Sequence, residues 1–272
     1  MMPVCLHDKK EIFSFLKKNV YLHIYSIGDL DDFFWDYTTW YGLREKGEIK
    51  ALALVYTGTY TPVLLALTDE LSYMKDLVSS ISHLLPPMFY AHLSPGVEES
   101  LRGYKLKSNG LHYKMALRKR ELLITVDTSC TTQLLKKDLD EIEAFYEKSY
   151  PDNFFDARML ETNMYYGIKT DLGLVSVAGI HVYSKIFKVA ALGNITTHPD
   201  FRRKGYATAV TTRLLTSLLE TVDHVGLNVK ANNRAAIQCY ENLGFEIVDR
   251  YEEFIVELDD KRNTEDGLTS AN

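Results

Sequence analysis

A short basic stretch built around a glycine is the part of the sequence best suited to bind an anion. It follows an apolar run at 189–195 and opens an amphipathic segment, so we expect a strand, a loop and then a helix. Glycine in the turn and the N–H groups at the helix start would converge on one anion, while the basic side chains would pair with phosphate. A basic helix cap is the plainer interpretation. The candidate residues are Arg202, Arg203, Lys204, Gly205, Tyr206, Ala207 and Thr208.

A second motif follows downstream, with the pattern Asn-x-x-Ala-x-x-x-Tyr-x-x-x-Gly-Phe from Asn233 through Tyr240 to Phe245. It comes after 225–229, which reads as a short buried strand, and it begins a helix. In order, spacing and context, the two motifs resemble the signature of the GNAT superfamily of acyl-CoA-dependent N-acetyltransferases. The resemblance implies an α/β fold with a mixed, mostly antiparallel sheet flanked by helices. A splayed central pair of strands is expected in the half that carries the motifs.

The resemblance also implies how acetyl-CoA would bind as co-substrate. The basic loop would hold its pyrophosphate, and the two amides of the pantetheine arm would pair with exposed strand groups of Ile195, Thr196 and Thr197. A bulge at Gly193-Asn194 would part this strand from its neighbour and leave those groups accessible. A plain strand glycine at position 193 is the alternative.

Two further residues carry roles by resemblance. Asn233 would bind the CoA arm, cap the following helix, or do both, and Asn232 is an alternative cap. Tyr240 lies where many members place a tyrosine near the thioester sulfur, so it is the candidate general acid for the leaving thiolate. An aromatic that merely covers the seam between helix and sheet is the alternative for Tyr240.

The general base is not evident from the sequence. Some members that acetylate protein N-termini carry a glutamate at the position of Asn228, and an amide cannot accept a proton in that way. His181 is a candidate base or a half-buried structural histidine. Asp152 and Asp156 would bind a cationic amine or order their loop, and His198 before proline suggests loop geometry. No metal-binding constellation appears, and direct aminolysis needs none.

Composition limits the class of protein. The chain has 272 residues, 46% of them hydrophobic and 25% charged, which is typical of a globular protein with two domains. A net charge of −6 argues against nonspecific nucleic-acid binding. Three scattered cysteines suggest reduced thiols in the cytoplasm, and no apolar run is long enough for a membrane span. The partner we expect is a small-molecule or peptide amine; the oligomeric state stays open.

A weak internal repeat divides the chain. The segments around Gly42 and Gly167 align without a gap at an offset of 125 residues. Opposite the basic loop, the first half has Thr68-Asp69-Glu70-Leu71, with two acids and no glycine. We therefore expect a degenerate GNAT-like domain at 1–120, a catalytic GNAT domain at 121–260 and a polar tail at 261–272.

The apolar patterns predict individual elements in the second half. Residues 122–126 read as a strand or a crossing linker, and 152–160 as a loop with a short helix. Helices are expected at 136–150, 205–220 and 233–243. Strands are expected at 164–170, 172–183, 189–197, 225–229, 245–248 and 252–258, the last two closing the sheet of this half.

Two functional classes fit these residues. The first is an N-acyltransferase, most simply an acetyltransferase, in which a primary amine attacks the thioester directly in a ternary complex. Two-domain members with a degenerate first half, including glycine-acyltransferase-like proteins, resemble this chain. The second class is a CoA-binding sensor or regulatory module without turnover. A retained Tyr240 beside an intact loop favours the enzyme.

Overall fold

The computed structural model describes residues 2–259, so the expected tail at 261–272 lies outside the described residues. The chain forms two compact units that are discontinuous in sequence. Among the described residues, unit 1 contains 2–15, 37–111 and 250–259, and unit 2 contains 16–36 and 112–249. Segment 16–36 is thus part of unit 2, although it lies near the start of the chain.

Unit 1 is a sheet with its helices α1 (Lys9–Leu16) and α4 (Leu71–Ile81). The strand order is β1-β2-β3-β4-β5-β12, and the only parallel pair among these strands in the described residues is β4 with β5. Its buried core includes Leu77, Phe89 and Phe254. The strands are β1 (Met2–Leu6), β2 (Thr38–Glu45), β3 (Glu48–Tyr56), β4 (Val63–Ala66), β5 (Met88–Leu93) and the part of β12 (Phe245–Leu258) from residue 250 onward.

Unit 2 repeats this pattern of pairing. The order β7-β8-β9-β10-β11-β6 has one parallel pair among the described residues, β10 with β11. The strands are β6 (Tyr104–Leu117, from residue 112 onward), β7 (Thr132–Gln133), β8 (Tyr166–Thr170), β9 (Gly173–Ser184), β10 (Val189–Thr197) and β11 (His224–Lys230). The helices are α2 (Ile24–Gly28), α3 (Asp32–Trp35), α5 (Leu139–Ser149), α6 (Tyr206–Leu219) and α7 (Arg234–Asn242).

The shared pairing pattern supports the predicted duplication, with one exchange: the last strand of each sequence half belongs to the sheet of the other unit. In unit 2, β11 pairs with residues 112–116 of β6, which ends the first half of the sequence. In unit 1, β5 pairs with residues 252–257 of β12, which ends the second half. The expectation that 252–258 closes the sheet of the second half is therefore wrong. An alternating apolar strand carries no local signal that selects between two equivalent neighbours.

Most local predictions in the second half are confirmed. β10 has the predicted bounds, α6 and α7 differ from prediction by one residue at each end, and the 3-10 helix Ala157–Thr162 follows the loop at 152–156. For residues 122–126 only the strand alternative is wrong: residues 120–125 form a 3-10 helix, because a short apolar run does not distinguish helix from strand. The expectation of two strands at 245–248 and 252–258 is wrong, because 245–258 is one continuous strand.

The helices of unit 2 lie against the strands that carry the motifs. Helix α2 packs on β9, β10 and β11, and α6 packs on β8, β9 and β10. Helix α6 buries the apolar side chains Val210, Leu214, Leu215 and Leu218 completely. Of the helices in the described part of the chain, none is both long and apolar enough to cross a membrane.

Removing the ring of Phe254 tests the strand exchange. Phe254 is 7% exposed in the core of unit 1, so we expect Phe254→Ala to lower the free energy of unfolding by about 3 kcal/mol, as cavity-forming aromatic substitutions do. Ile247→Ala in the same strand is the control, because Ile247 is 45% exposed and its loss should cost less than about 1 kcal/mol. Urea unfolding measures both. Equal effects would contradict the assignment of Phe254 to this core.

Candidate active site

The basic loop has the backbone geometry of an anion site. Arg203 and Gly205 both adopt left-handed angles, with φ of 63° and 79°, and Gly205 precedes the first turn of α6. No side chain caps this helix end, and the N–H groups of a first turn have no partner within the helix. Arg202, Arg203 and Lys204 are exposed around them. The loop therefore presents main-chain donors, a helix N-terminus and positive charge together.

Side chains before the loop fix its path. The Nδ1 atom of His198 accepts a hydrogen bond from the N–H of Asp200 at 3.3 Å, and its ring meets the ring of Phe201 edge-on. Lys204 Nζ lies 4.8 Å from the centre of the Phe201 ring, and Arg202 Nε donates to the carbonyl of Thr197 at 3.3 Å. His198 thus orders the loop, in line with the sequence interpretation.

Strands β10 and β11 part at one point, which we call the fork. Their parallel pairing ends at Leu192 and Leu227, yet β10 continues to Thr197. On its other side, β10 stays paired with β9 through Thr196 and Thr197. The edge of β10 that carries Ile195 and Thr196 therefore has no partner strand on the β11 side within the described residues. This is the predicted splay.

The bulge that produces the fork is centred on Asn194. Its φ is 54°, and the register between β10 and β9 shifts between Gly193 and Thr196, so the predicted bulge is confirmed. Gly193 is needed for close approach, because a Cβ atom there would overlap the ring of His181. The plain strand glycine is thereby excluded.

Buried hydrogen bonds hold the Asn194 bulge in place. The Asn194 carbonyl accepts from the Tyr146 hydroxyl at 2.7 Å, and its Oδ1 accepts from the N–H of Phe154 at 3.2 Å. Its Nδ2 donates to the Tyr165 hydroxyl at 3.2 Å, which in turn donates to the carbonyl of Ile180 at 3.0 Å. Helix α5, the loop after it and the residue that precedes β8 therefore all fix Asn194.

The corresponding strands of unit 1 are closed. All of β4 pairs with β5, and beyond the last pair the N–H of Ser94 donates to the carbonyl of Ala66 at 3.2 Å. The Ser94 hydroxyl accepts from the N–H of Thr68 at 2.9 Å and donates to the carbonyl of Thr68 at 3.2 Å. No described residue from 67 to 71 has a positive φ. Unit 1 thus has neither a fork nor a loop like that at Gly205.

The second motif lies on α7. Asn233 is its N-cap, since Oδ1 accepts from the N–H of Ala236 at 3.2 Å, whereas Asn232 precedes the cap and is exposed. Tyr240 is partly exposed, and burial of its phenol raises its pKa above the usual 10. The phenol is therefore protonated at neutral pH and able to donate. It interacts electrostatically with the phenols of Tyr150 and Tyr25.

Tyr25 is a residue of the fork that sequence reasoning missed. Its hydroxyl donates to the carbonyl of Leu192 at 3.5 Å, and the backbone of Asn228 hydrogen-bonds to the same phenol. Tyr25 comes from the short helix α2, 167 positions before Leu192. No motif in its neighbourhood signals this contact, so the sequence offered no means of finding it.

Two basic side chains lie beside Tyr25. Lys114 is opposite Asn228 in the β6–β11 pair, with Nζ 3.4 Å from Asn228 Oδ1 and 5.1 Å from the centre of the Tyr25 ring. Burial lowers the pKa of Lys114 to about 7, against an opposing effect of Asp249. The His181 ring lies 6.1 Å from that of Tyr25, and burial lowers its pKa to about 4. Lys114 was missed, whereas His181 was a sequence candidate.

The remaining candidates for the base or the acceptor site are in the loop after α5. Asp156 caps the 3-10 helix there by accepting from the N–H of Arg158 at 2.8 Å, so it orders the loop. Asp152 is exposed. Within the described residues, no group of three His, Cys, Asp or Glu side chains is arranged to hold a metal ion.

Substitution of Asn194 tests what holds the fork. Asn194→Ala loses the side-chain hydrogen bonds and replaces asparagine, which tolerates left-handed backbone angles, with alanine, which tolerates them less well, at a φ of 54°; we therefore expect a loss of about 2–4 kcal/mol in unfolding free energy. Asn194→Gly also loses the side-chain hydrogen bonds, but glycine adopts left-handed backbone angles freely. Its free energy of unfolding should therefore fall by less, and the fall measures the hydrogen bonds alone. Urea unfolding compares the two. An unchanged Asn194→Ala protein would show that the bulge does not need this residue.

Comparisons with known proteins agree with this geometry. Residues 167–255 match the family model described as FR47-like protein. No curated protein sequence shows a significant match. A Drosophila protein is similar in fold over 95% of this chain and 99% of its own, with 12% identity and a TM-score of 0.71.

Two further solved structures are GNAT proteins by description. A putative GNAT acetyltransferase from Novosphingobium aromaticivorans has 17% identity and a TM-score of 0.58, over 76% of this chain and 88% of its own. A tandem GNAT protein from the clavulanic acid biosynthesis pathway has 13% identity and a TM-score of 0.57, over 93% and 97%. Residues 167–255 thus match the FR47-like family model, and the fold of this chain is that of a tandem GNAT protein.

Proposed function

We propose that the chain is an acyl-CoA-dependent N-acyltransferase that moves an acetyl group from acetyl-CoA to a primary amine. One observation carries the proposal. A single short stretch of strand and loop, residues 192–205, has the fork of β10 at one end and the left-handed turn at Gly205 at the other. The turn suits a diphosphate, and the open edge at Ile195 and Thr196 suits an amide-bearing arm. We assign this site to unit 2, with Thr197, Arg202, Arg203, Lys204, Tyr206, Ala207, Thr208 and Asn233 around it.

In the proposed mechanism, the amine attacks the thioester carbonyl and the carbon–sulfur bond breaks. Main-chain N–H groups of the open β10 edge polarise the carbonyl, and the phenol of Tyr240 gives its proton to the departing thiolate. The attacking amine must also lose a proton. Lys114 and His181 have lowered pKa values near the fork, so either is available as an unprotonated acceptor close to neutral pH.

The acceptor we propose is a small molecule or peptide with a primary amine. Cys5, Cys130 and Cys239 are all free thiols, which supports a reducing compartment such as the cytoplasm as part of the proposal. A free-thiol assay with acetyl-CoA across a panel of amino acids, polyamines and peptides tests the activity. Calorimetric binding of CoA without thiol release from any amine would favour a regulatory CoA-binding protein instead.

Gly205→Glu tests the binding loop. A carboxylate would enter the anion site, and a side chain would strain a backbone with φ of 79°, so CoA affinity should fall at least about a hundredfold by calorimetry. Gly47→Glu is the matched control, because Gly47 has φ of 86°, also faces open space and lies in the exposed β2–β3 turn of unit 1. CoA affinity should be unchanged there. Full affinity in Gly205→Glu would remove the loop from the site.

Tyr240→Phe tests the proton donor. The phenyl ring keeps the packing against Phe245, so CoA affinity should hold while kcat falls on the order of a hundredfold if chemistry limits the rate. Tyr166→Phe is the control, since it removes a phenol that hydrogen-bonds Ser217 at 2.8 Å within the same unit. Steady-state kinetics over a range of pH measure both. Wild-type turnover in Tyr240→Phe would make Tyr240 a packing residue.

A further inference from the structure

The apex of the fork, where β10 and β11 part after Leu192 and Leu227, is blocked by one side chain. The Tyr25 hydroxyl contacts the carbonyl of Leu192, the last residue of β10 that pairs with β11, and the backbone of Asn228, the next residue of β11 after the pairing ends. Its side chain is partly exposed. The phenol therefore marks the point at which the open edge of β10 begins.

Close packing fixes the depth of the helix that carries Tyr25. A Cβ atom on Gly28 would lie 2.6 Å from Cβ of Val182 in β9, and one on Gly226 would lie 3.1 Å from Cδ1 of Ile24. Glycine at both positions thus lets α2 sit directly on the sheet. The backbone on either side of Tyr25 is thereby held at a fixed depth above the sheet.

Other bulky groups surround the ring of Tyr25. Lys114 lies over it at 5.1 Å and the ring of His181 lies beside it at 6.1 Å. Gly193, at the start of the open edge, is in contact range of His181. The space at the apex is therefore bounded by large side chains, of which Tyr25 is the one that touches both strands.

The orientation of the acyl-CoA donor in the site follows from the proposed function, on which this inference rests. A diphosphate at Gly205 places the arm along Thr197, Thr196 and Ile195, so the thioester and its acyl group point toward the fork. We propose that Tyr25 forms the end wall of the acyl pocket and restricts the donor to a short acyl group, acetyl in preference to longer chains. Tyr25 is thus a specificity-determining residue supplied by the first half of the sequence.

The expected selectivity is large enough to measure. A methylene group that a hydrophobic pocket cannot accommodate typically changes kcat/KM by about 10- to 200-fold. For the wild-type protein, butyryl-CoA should therefore be used at least about tenfold less efficiently than acetyl-CoA. Shortening Tyr25 should open the apex and reduce this ratio, whereas Tyr25→Phe keeps the ring and should preserve it.

The test compares acetyl-CoA, butyryl-CoA and hexanoyl-CoA with the wild-type chain, Tyr25→Ala, Tyr25→Phe and the control Tyr21→Ala. Tyr21 comes from the same segment, but its hydroxyl lies 3.2 Å from Nδ1 of His224 at the first residue of β11, away from the fork. We expect the butyryl-to-acetyl ratio of kcat/KM to rise at least about tenfold in Tyr25→Ala only. An unchanged ratio in folded Tyr25→Ala would overturn the proposal.

Binding measurements separate this proposal from the proposed function. Calorimetry with the wild-type chain should give weaker binding of butyryl-CoA than of acetyl-CoA even where no turnover occurs, and thermal unfolding shows whether each variant is folded. If the wild-type chain binds CoA and has equal affinity for all three donors, only the proposal that Tyr25 forms the end wall is overturned. Failure of the wild-type chain to bind CoA overturns the proposed function and the end wall together.

Discussion

The left-handed bulge at Asn194 is the constraint on which the site depends. A parallel pair of strands normally satisfies its own backbone groups along its whole length. Here β10 turns away from β11 after Leu192, and the cost of that departure is offset by the hydrogen bonds that Asn194 accepts from Tyr146 and Phe154 and donates to Tyr165. Without such compensation, parted strands in a protein interior would leave polar groups unsatisfied.

The two units show what that constraint changes. They share one order of antiparallel and parallel pairs, so the same framework is built twice. In unit 1 the hydroxyl and N–H of Ser94 join the ends of β4 and β5, and the turn at Thr68 has ordinary backbone angles. In unit 2 the strands part and the turn is left-handed at Arg203 and Gly205. The opening of one strand pair therefore distinguishes the proposed CoA site of unit 2 from the corresponding strands of unit 1.

Sequence reasoning succeeded where the determinants are local. The end of β10, the start of α6 after Gly205 and the cap at Asn233 all follow from glycine, capping and apolar periodicity within a few residues. It failed where the determinants are distant. The apolar run at 122–126 is too short to decide between a strand and a crossing linker, and the partner of residues 252–257 is set by the whole sheet. Tyr25 and Lys114 meet Leu192 and Asn228 only through the fold.

The central claim is that only unit 2 has a CoA site, and that its pantetheine arm occupies the open edge of β10. A crystal structure of the chain with CoA tests this most directly. The account predicts one CoA per chain, with the diphosphate on the N–H groups that follow Arg202 and the arm beside Ile195 and Thr196. A CoA bound at the Thr68 turn of unit 1, or an arm that leaves the β10 edge empty, would contradict it.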